Sequence, residues 1–297
     1  MRRYYRETLL SKGFDVFNVL LMFLFMLTIV FPFWNQLCIS FSDVSTNPVS
    51  NITVLPLGFN TESYQKVFSD TRILKVSSVS LMRVIAGTLG TLLCTGLLAY
   101  ITTIEWFSGR KLLRRAFLFT MYFSAGLIPT YLAYISIGLY NTFWVYIIPG
   151  LFSAYYMLII SSYISNMPSS LFEAARIDGA SELKIYFRVV IPISVPVFAA
   201  IAVYCAVDQW NSWFDTTIYA PNGEWDTLQI YLRRVLLEIE ALSMIEDSSK
   251  ALSKFKTLTP QSIRAATTII VTVPIVCVYP FLQKYFLTGI TIGAVKE

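Results

Sequence analysis

Histidine is absent from the 297 residues. That excludes histidine-based acid–base catalysis, Ser-His-Asp triads and histidine metal sites. There is no Gly-x-x-x-x-Gly-Lys-Ser/Thr run, so the chain carries no phosphate-binding loop of its own. Charge is scarce as well: 14% of residues, against about 25% in an ordinary soluble domain. The four cysteines, Cys38, Cys94, Cys205 and Cys277, stand alone with no Cys-x-x-Cys pair. They read as small hydrophobic residues, not as a redox or metal set.

What is abundant is apolar surface. Hydrophobic residues make up 56% of the chain, and mean hydropathy is +0.61. One soluble core of this size could not hide so much. The composition excludes a cytosolic enzyme, a disordered chain and a collagen-like fibre, and predicts an all-α membrane protein. A spanning helix needs roughly 20 mostly apolar residues. Windows at about 14–37, 78–101, 116–137, 142–164, 189–211 and 265–287 meet that need, which predicts six transmembrane helices. The first ends in the interfacial pair Phe33-Trp34 and not in small residues at a cleavage site, so it reads as a retained anchor.

Lys and Arg set the expected direction. The short clusters Arg2/Arg3/Arg6/Lys12 and Arg110/Lys111/Arg114/Arg115 lie close to span ends. Both termini are therefore expected on the cytoplasmic side. The long loop at 212–264 then lies outside and the loop at 165–188 inside. Two charges fall within spans, Arg83 and Asp208. Intramembrane charge marks a functional position or a paired one, although both sit near the outer interface, where snorkelling is an alternative. Ala86 and Gly90 offer a small face for close helix approach. Pro129, Pro149, Pro192, Pro196, Pro274 and Pro280 each free a carbonyl that must find a partner.

The loop at 165–188 has clear local grammar. Ser170 followed by Glu173 is a capping-box pattern, and Glu173-Ala-Ala-Arg176 favours helix. Gly179 suits the positive-φ stop of that helix, and Ser181 can cap a second one running toward Pro192. Leu171, Ala174, Ala175 and Asp178 share helical spacing and offer a compact face to another protein. An interfacial connector without a partner has the same local grammar.

The full pattern Glu173-Ala-Ala-Arg-Ile-Asp-Gly-Ala180, followed by Phe187, Pro192 and Pro196, resembles the EAA loop of ABC importer permeases. The likeness continues through Gly126-Leu-Ile-Pro-Thr-Tyr131, Asn141-Thr-Phe-Trp144, Trp210-Asn-Ser-Trp-Phe-Asp215 and the tail 283–296. These segments look like carbohydrate permeases of the maltose-type inner subunit, and within them the LplC/YtcP-like group. The resemblance implies a type I importer transmembrane core at 74–286, preceded by 1–73 with the first span and followed by a cytoplasmic tail at 287–297. It implies a second permease subunit in a heterodimer, an ABC ATPase dimer that holds MgATP, and an extracytoplasmic solute-binding protein. Membrane lipid and a saccharide complete the expected partners. No nucleic acid, cofactor in this chain, catalytic residue or metal is implied. The ATPase-coupling residues carried over are Leu171, Glu173, Ala174, Ala175, Asp178, Gly179 and Ala180.

Aromatic residues offer platforms for sugar rings. Tyr131, Tyr134, Tyr155, Tyr204, Asp208, Trp210 and Asn211 are the translocation-path candidates, with Tyr122, Trp144 and Tyr156 nearby in sequence. Tyr and Trp also crowd membrane interfaces and interiors. In the long outer loop, Asn222-Gly223 signals a turn and 228–240 an amphipathic helix. A carrier driven by an ion gradient is the competing class. It calls for inverted repeats and charges at mid-span, and neither is evident.

Overall fold

The computed structural model describes residues 9–244 and 261–277. The cluster Arg2/Arg3/Arg6, the stretch 245–260, the end of the sixth window and the tail 283–296 lie outside the described residues. Among the described residues the chain is helical throughout, with one isolated bridge between Ser42 and Phe59 and no strand. It divides into two compact units, residues 1–70 with 234–272, and residues 71–233 with 273–297.

The first unit is dominated by α1, Leu9–Ser40, which is apolar on every side. None of its most apolar window is buried within the chain. A helix of that kind needs lipid or another subunit around it. Its C-terminal end is tied down by the loop that follows. Asn35 donates to the carbonyls of Ile52 and Thr53 at 2.8 and 3.1 Å, and the Trp34 indole to that of Val54 at 2.8 Å. Cys38, Ile39, Val44, Ile52 and Ala265 close a small core there. A short helix absent from the sequence reading, α2 (Glu62–Ser69), completes this part.

The second unit is organised around α3, Arg72–Thr103, an unbroken helix that starts six residues before the predicted window. Then come α4 (Arg110–Tyr122), α5 (Leu127–Ser136), α6 (Ala154–Ser165), α7 (Ser169–Ile177) and α8 (Glu182–Ile185). A π-turn at Tyr186–Val190 leads into α9 (Ile191–Ile193), α10 (Val195–Asn211) and α11 (Phe214–Tyr219). The helices α12 (Leu228–Met244) and α13 (Gln261–Cys277) finish the described chain. The main core gathers Leu98, Ala99 and Tyr100 of α3 with Met157, Ile160, Ile164, Ile185, Tyr186, Val190 and Ile201.

Three of the predicted spans are broken. The window 116–137 splits between α4 and α5, where Gly126 adopts φ 87°, a left-handed conformation that no helix interior allows. The window 142–164 opens with two 3-10 turns, Phe143–Tyr146 and Ile148–Gly150, and meets α6 at a bend of 44°. Its freed carbonyls are satisfied: Thr91 donates to Gly150 O at 2.8 Å and Thr95 to Leu151 O at 2.9 Å. The third, 189–211, turns by 82° between α9 and α10. Pro192 lacks an N–H, and the backbone before it slips into the wider π register, Ile191 N bonding Tyr186 O. Two described helices are long and apolar enough to cross a membrane uninterrupted, and up to four segments are if each bent pair counts as one span. The shorter apolar helices are α5 and α13.

Candidate functional site

Two clusters of polar side chains lie at opposite ends of α3. At the first end Arg83 is buried, and its side chain is only 3% exposed. Its Nη1 and Nη2 both donate to the Asp215 carboxylate, the former at 3.1 Å. Its Nε donates to Gln209 Oε1 at 2.8 Å, and its guanidinium lies 4.4 Å from the centre of the Tyr146 ring. Asp215 also accepts from Ser212 Oγ and from the Thr216 amide, each at 2.9 Å. The fork geometry of guanidinium and carboxylate gives two parallel charge-assisted bonds, and a third guanidinium donor goes to Gln209. Gly87, one turn along α3, lets Gln209 approach, because a Cβ there would stand 2.7 Å from its amide nitrogen. Arg83 is thus a paired charge and not a snorkelling one. Asp215 was not singled out as its partner: 132 residues of chain separate the two.

At the other end lie α7 and α8. The helix α7 ends in a complete Schellman motif. Gly179 takes φ 73°. Ala180 N bonds Ala175 O and Gly179 N bonds Arg176 O, both at 3.0 Å. Ser181 caps α8 by accepting from Lys184 N. The capping box at Ser170 and Glu173 is not formed. The helix starts two residues earlier than that box would place it, at Ser169, because Pro168 takes the extended dihedrals of the N-cap and Ser170 falls inside the first turn. Leu171, Glu173, Ala174, Asp178 and Gly179 are exposed. Ala175 and Ala180 instead pack against the main core with Phe172, so the outward face is narrower than the spacing suggested. Arg176 Nε donates to Glu182 Oε1 at 3.0 Å. That bond raises the Arg176 pKa above its ordinary value. Glu182 also accepts from the Tyr100 hydroxyl of α3.

The translocation-path candidates separate into three sets. Tyr204, Asp208 and Asn211 fall on one exposed stripe of α10, and Tyr156 of α6 reaches Asp208 at 3.4 Å. Tyr155, also exposed, packs against Tyr156 with ring centres 5.6 Å apart. Tyr131 and Tyr134 do not join them. They are half-buried against Tyr219, at 6.3 and 4.9 Å between ring centres. Trp210 is buried. Among the described residues no group of His, Cys, Asp or Glu is arranged to hold a metal.

The apolar helices and broken spans define a polytopic membrane protein. The sequence profile of the binding-protein-dependent transport system inner membrane component family matches residues 3–213. This chain belongs to that family. It is 31% identical over 286 residues to the polygalacturonan/rhamnogalacturonan transport system permease protein YtcP of Bacillus subtilis (strain 168), covering 96% of this chain and 99% of that one. It is 34% identical over 291 residues to protein LplC of the same organism, covering 98% and 97%. Its fold matches a solved bacterial ABC transporter involved in the import of the acidic polysaccharide alginate, with a TM-score of 0.83 at 26% identity, over 96% of this chain and 100% of that one. The chain is a permease subunit of an ATP-driven transporter and not an enzyme. Membership implies a partner permease, an ATPase and a binding protein.

Proposed function

We propose that this subunit carries an oligosaccharide or related glycoside across the bacterial cell membrane, as one half of a permease heterodimer embedded in lipid. Its six apolar segments serve as the spans, with both termini cytoplasmic. The α7–α8 pair is the cytoplasmic element that docks on the ATPase dimer, where MgATP is bound. The exposed stripe Tyr204–Asp208–Asn211 with Tyr155 faces the sugar path. The full-length likeness to saccharide permeases supports the substrate class.

One observation carries the coupling role. A narrow exposed face, Leu171, Glu173, Ala174 and Asp178, precedes a glycine hinge at φ 73°. A β-branched residue at Gly179 is strained there whatever the space around it. Gly179→Val is therefore expected to leave the transporter inserted and assembled while receptor-stimulated ATP hydrolysis falls at least about tenfold, a coupling term within the usual range. Hydrolysis is measured on the complex purified with its native ATPase, permease and binding protein. Unchanged stimulation in a fully assembled Gly179→Val complex would remove α7–α8 as the docking element, and with it the cytoplasmic placement of this loop.

A further inference from the structure

We propose that Glu182 is the joint through which movement of α7 is passed to α3, and along α3 to its Arg83 end. The inference rests on the docking role of α7 given above, and deepens it.

Glu182 opens α8, and its carboxylate collects donors from two other elements. The Tyr100 hydroxyl comes from α3 and Arg176 Nε from α7 at 3.0 Å. Directly behind Glu182, Ile185 and Tyr186 are 0% and 1% exposed, so the base of α8 is rooted in the main core. By contrast, α7 is lightly held. Its packing on that core comes from Phe172 and Ala175, both only half-buried. Beyond those contacts, Arg176 ties α7 to Glu182, while the Schellman bonds stay within residues 175–180. The Arg176–Glu182–Tyr100 chain is therefore the direct polar route from α7 to a long helix.

The helix it reaches is built to transmit. α3 runs without a break or a proline from Arg72 to Thr103. Tyr100 and Arg83 are 17 positions apart, roughly 25 Å along the axis at ~1.5 Å per residue. At the Arg83 end the same helix grips Asp215 of α11 and Gln209 of α10. A load on α7 thus passes through one carboxylate to a rigid rod, and from the rod to the turn after α10. At the Arg83 end the rod is held by a largely buried pair, and at the Tyr100 end by a half-exposed one that can follow α7 without separating.

The test reads the far end of α3 in the whole transporter, purified with its native partners and placed in nanodiscs. The four native cysteines are replaced by serine, and Met82→Cys is introduced beside Arg83, where the side chain is half exposed. Labelling by a membrane-impermeant maleimide is timed with and without ATP plus orthovanadate. Trapping is expected to change the labelling rate at least about fivefold, the lower range of allosteric coupling. Glu182→Ala is expected to abolish that change while ATP hydrolysis persists. Glu182→Gln keeps an acceptor for Tyr100 and loses the ion pair, and should retain part of the change. Tyr100→Phe added to Glu182→Ala should have no further effect, because both act on one bond. A full change in Glu182→Ala, independent effects of the two substitutions, or no change in the parent would each overturn the proposal. Gly179→Val separates the two readings. If docking itself is wrong, Gly179→Val leaves hydrolysis stimulation and labelling intact. If only the joint is wrong, Gly179→Val removes the labelling change and Glu182→Ala does not.

Discussion

At one end of α3 the charges are sealed. Arg83 and Asp215 pair with side chains 3% and 23% exposed, and Gln209, Ser212 and the Thr216 amide add further bonds to the pair. At the other end Arg176 and Glu182 pair with side chains 40% and 29% exposed. The two clusters use the same chemistry in different dielectrics, and that decides what each can do. A buried pair is costly to separate, because either partner left alone keeps its desolvation penalty. It suits a fixed anchor. A half-exposed pair is screened by water and costs little to rearrange. It suits a joint that must adjust when a partner pushes. One helix thus carries a rigid mount and a compliant one about 25 Å apart along its axis.

The comparison breaks most directly at Arg83. Arg83→Ala strands Asp215 and should destabilise the assembled permease by about 3 to 5 kcal/mol. The check is the thermal midpoint of the detergent-solubilised complex, followed by fluorescence-detected size exclusion. An unchanged midpoint would mean that the anchor is wet and that the contrast between the two ends fails. Smaller, and between the two ends, is Gly96→Ala. A Cβ there meets the Tyr186 hydroxyl at 2.5 Å and the Phe198 ring at 2.7 Å. Overpacking of this kind costs about 1 to 3 kcal/mol. It should lower the midpoint without altering receptor stimulation in the folded fraction. Loss of stimulation at an unchanged midpoint would make this crossing part of the coupling route and not plain packing. The smallest stability effect belongs to Arg176→Ala, within about 1 kcal/mol of the parent. Its signature is functional instead: a weaker receptor response at an unaltered midpoint. A drop in midpoint as large as that of Arg83→Ala would show the two ends to be equivalent.

The same division separates what could be read in the chain from what could not. Apolar windows announced the membrane class, since roughly 20 consecutive apolar residues have few other uses. The stop at Gly179 and the cap at Ser181 were legible because each is decided by bonds spanning only a few residues. The capping box at Ser170 was legible and wrong, because Pro168 supplied a competing N-cap two residues earlier. Prolines alone did not tell which spans break, since Pro32, Pro129 and Pro274 lie inside unbroken helices, nor the size of any bend. The angles of 44° and 82° depend on which neighbours receive the freed backbone groups. Thr91 and Thr95 receive two of them, from a helix 56 to 59 residues away.

The aromatic candidates show the limit most plainly. Tyr131, Tyr134, Tyr155 and Tyr204 are the same residue type in similarly apolar settings. Yet two pack on Tyr219, Tyr131 stacked and Tyr134 edge-on, while the other two lie exposed, Tyr204 on the α10 stripe and Tyr155 beside Tyr156. By itself, then, the sequence determined the membrane class and the hinge between α7 and α8, because short-range backbone chemistry and hydropathy act within a turn or a span. Tertiary structure alone decided that Arg83 meets Asp215 across 132 residues, that Glu182 joins α7 to α3, and which tyrosines are spent on packing. Those outcomes depend on which faces the helices turn to one another, and no local pattern encodes that.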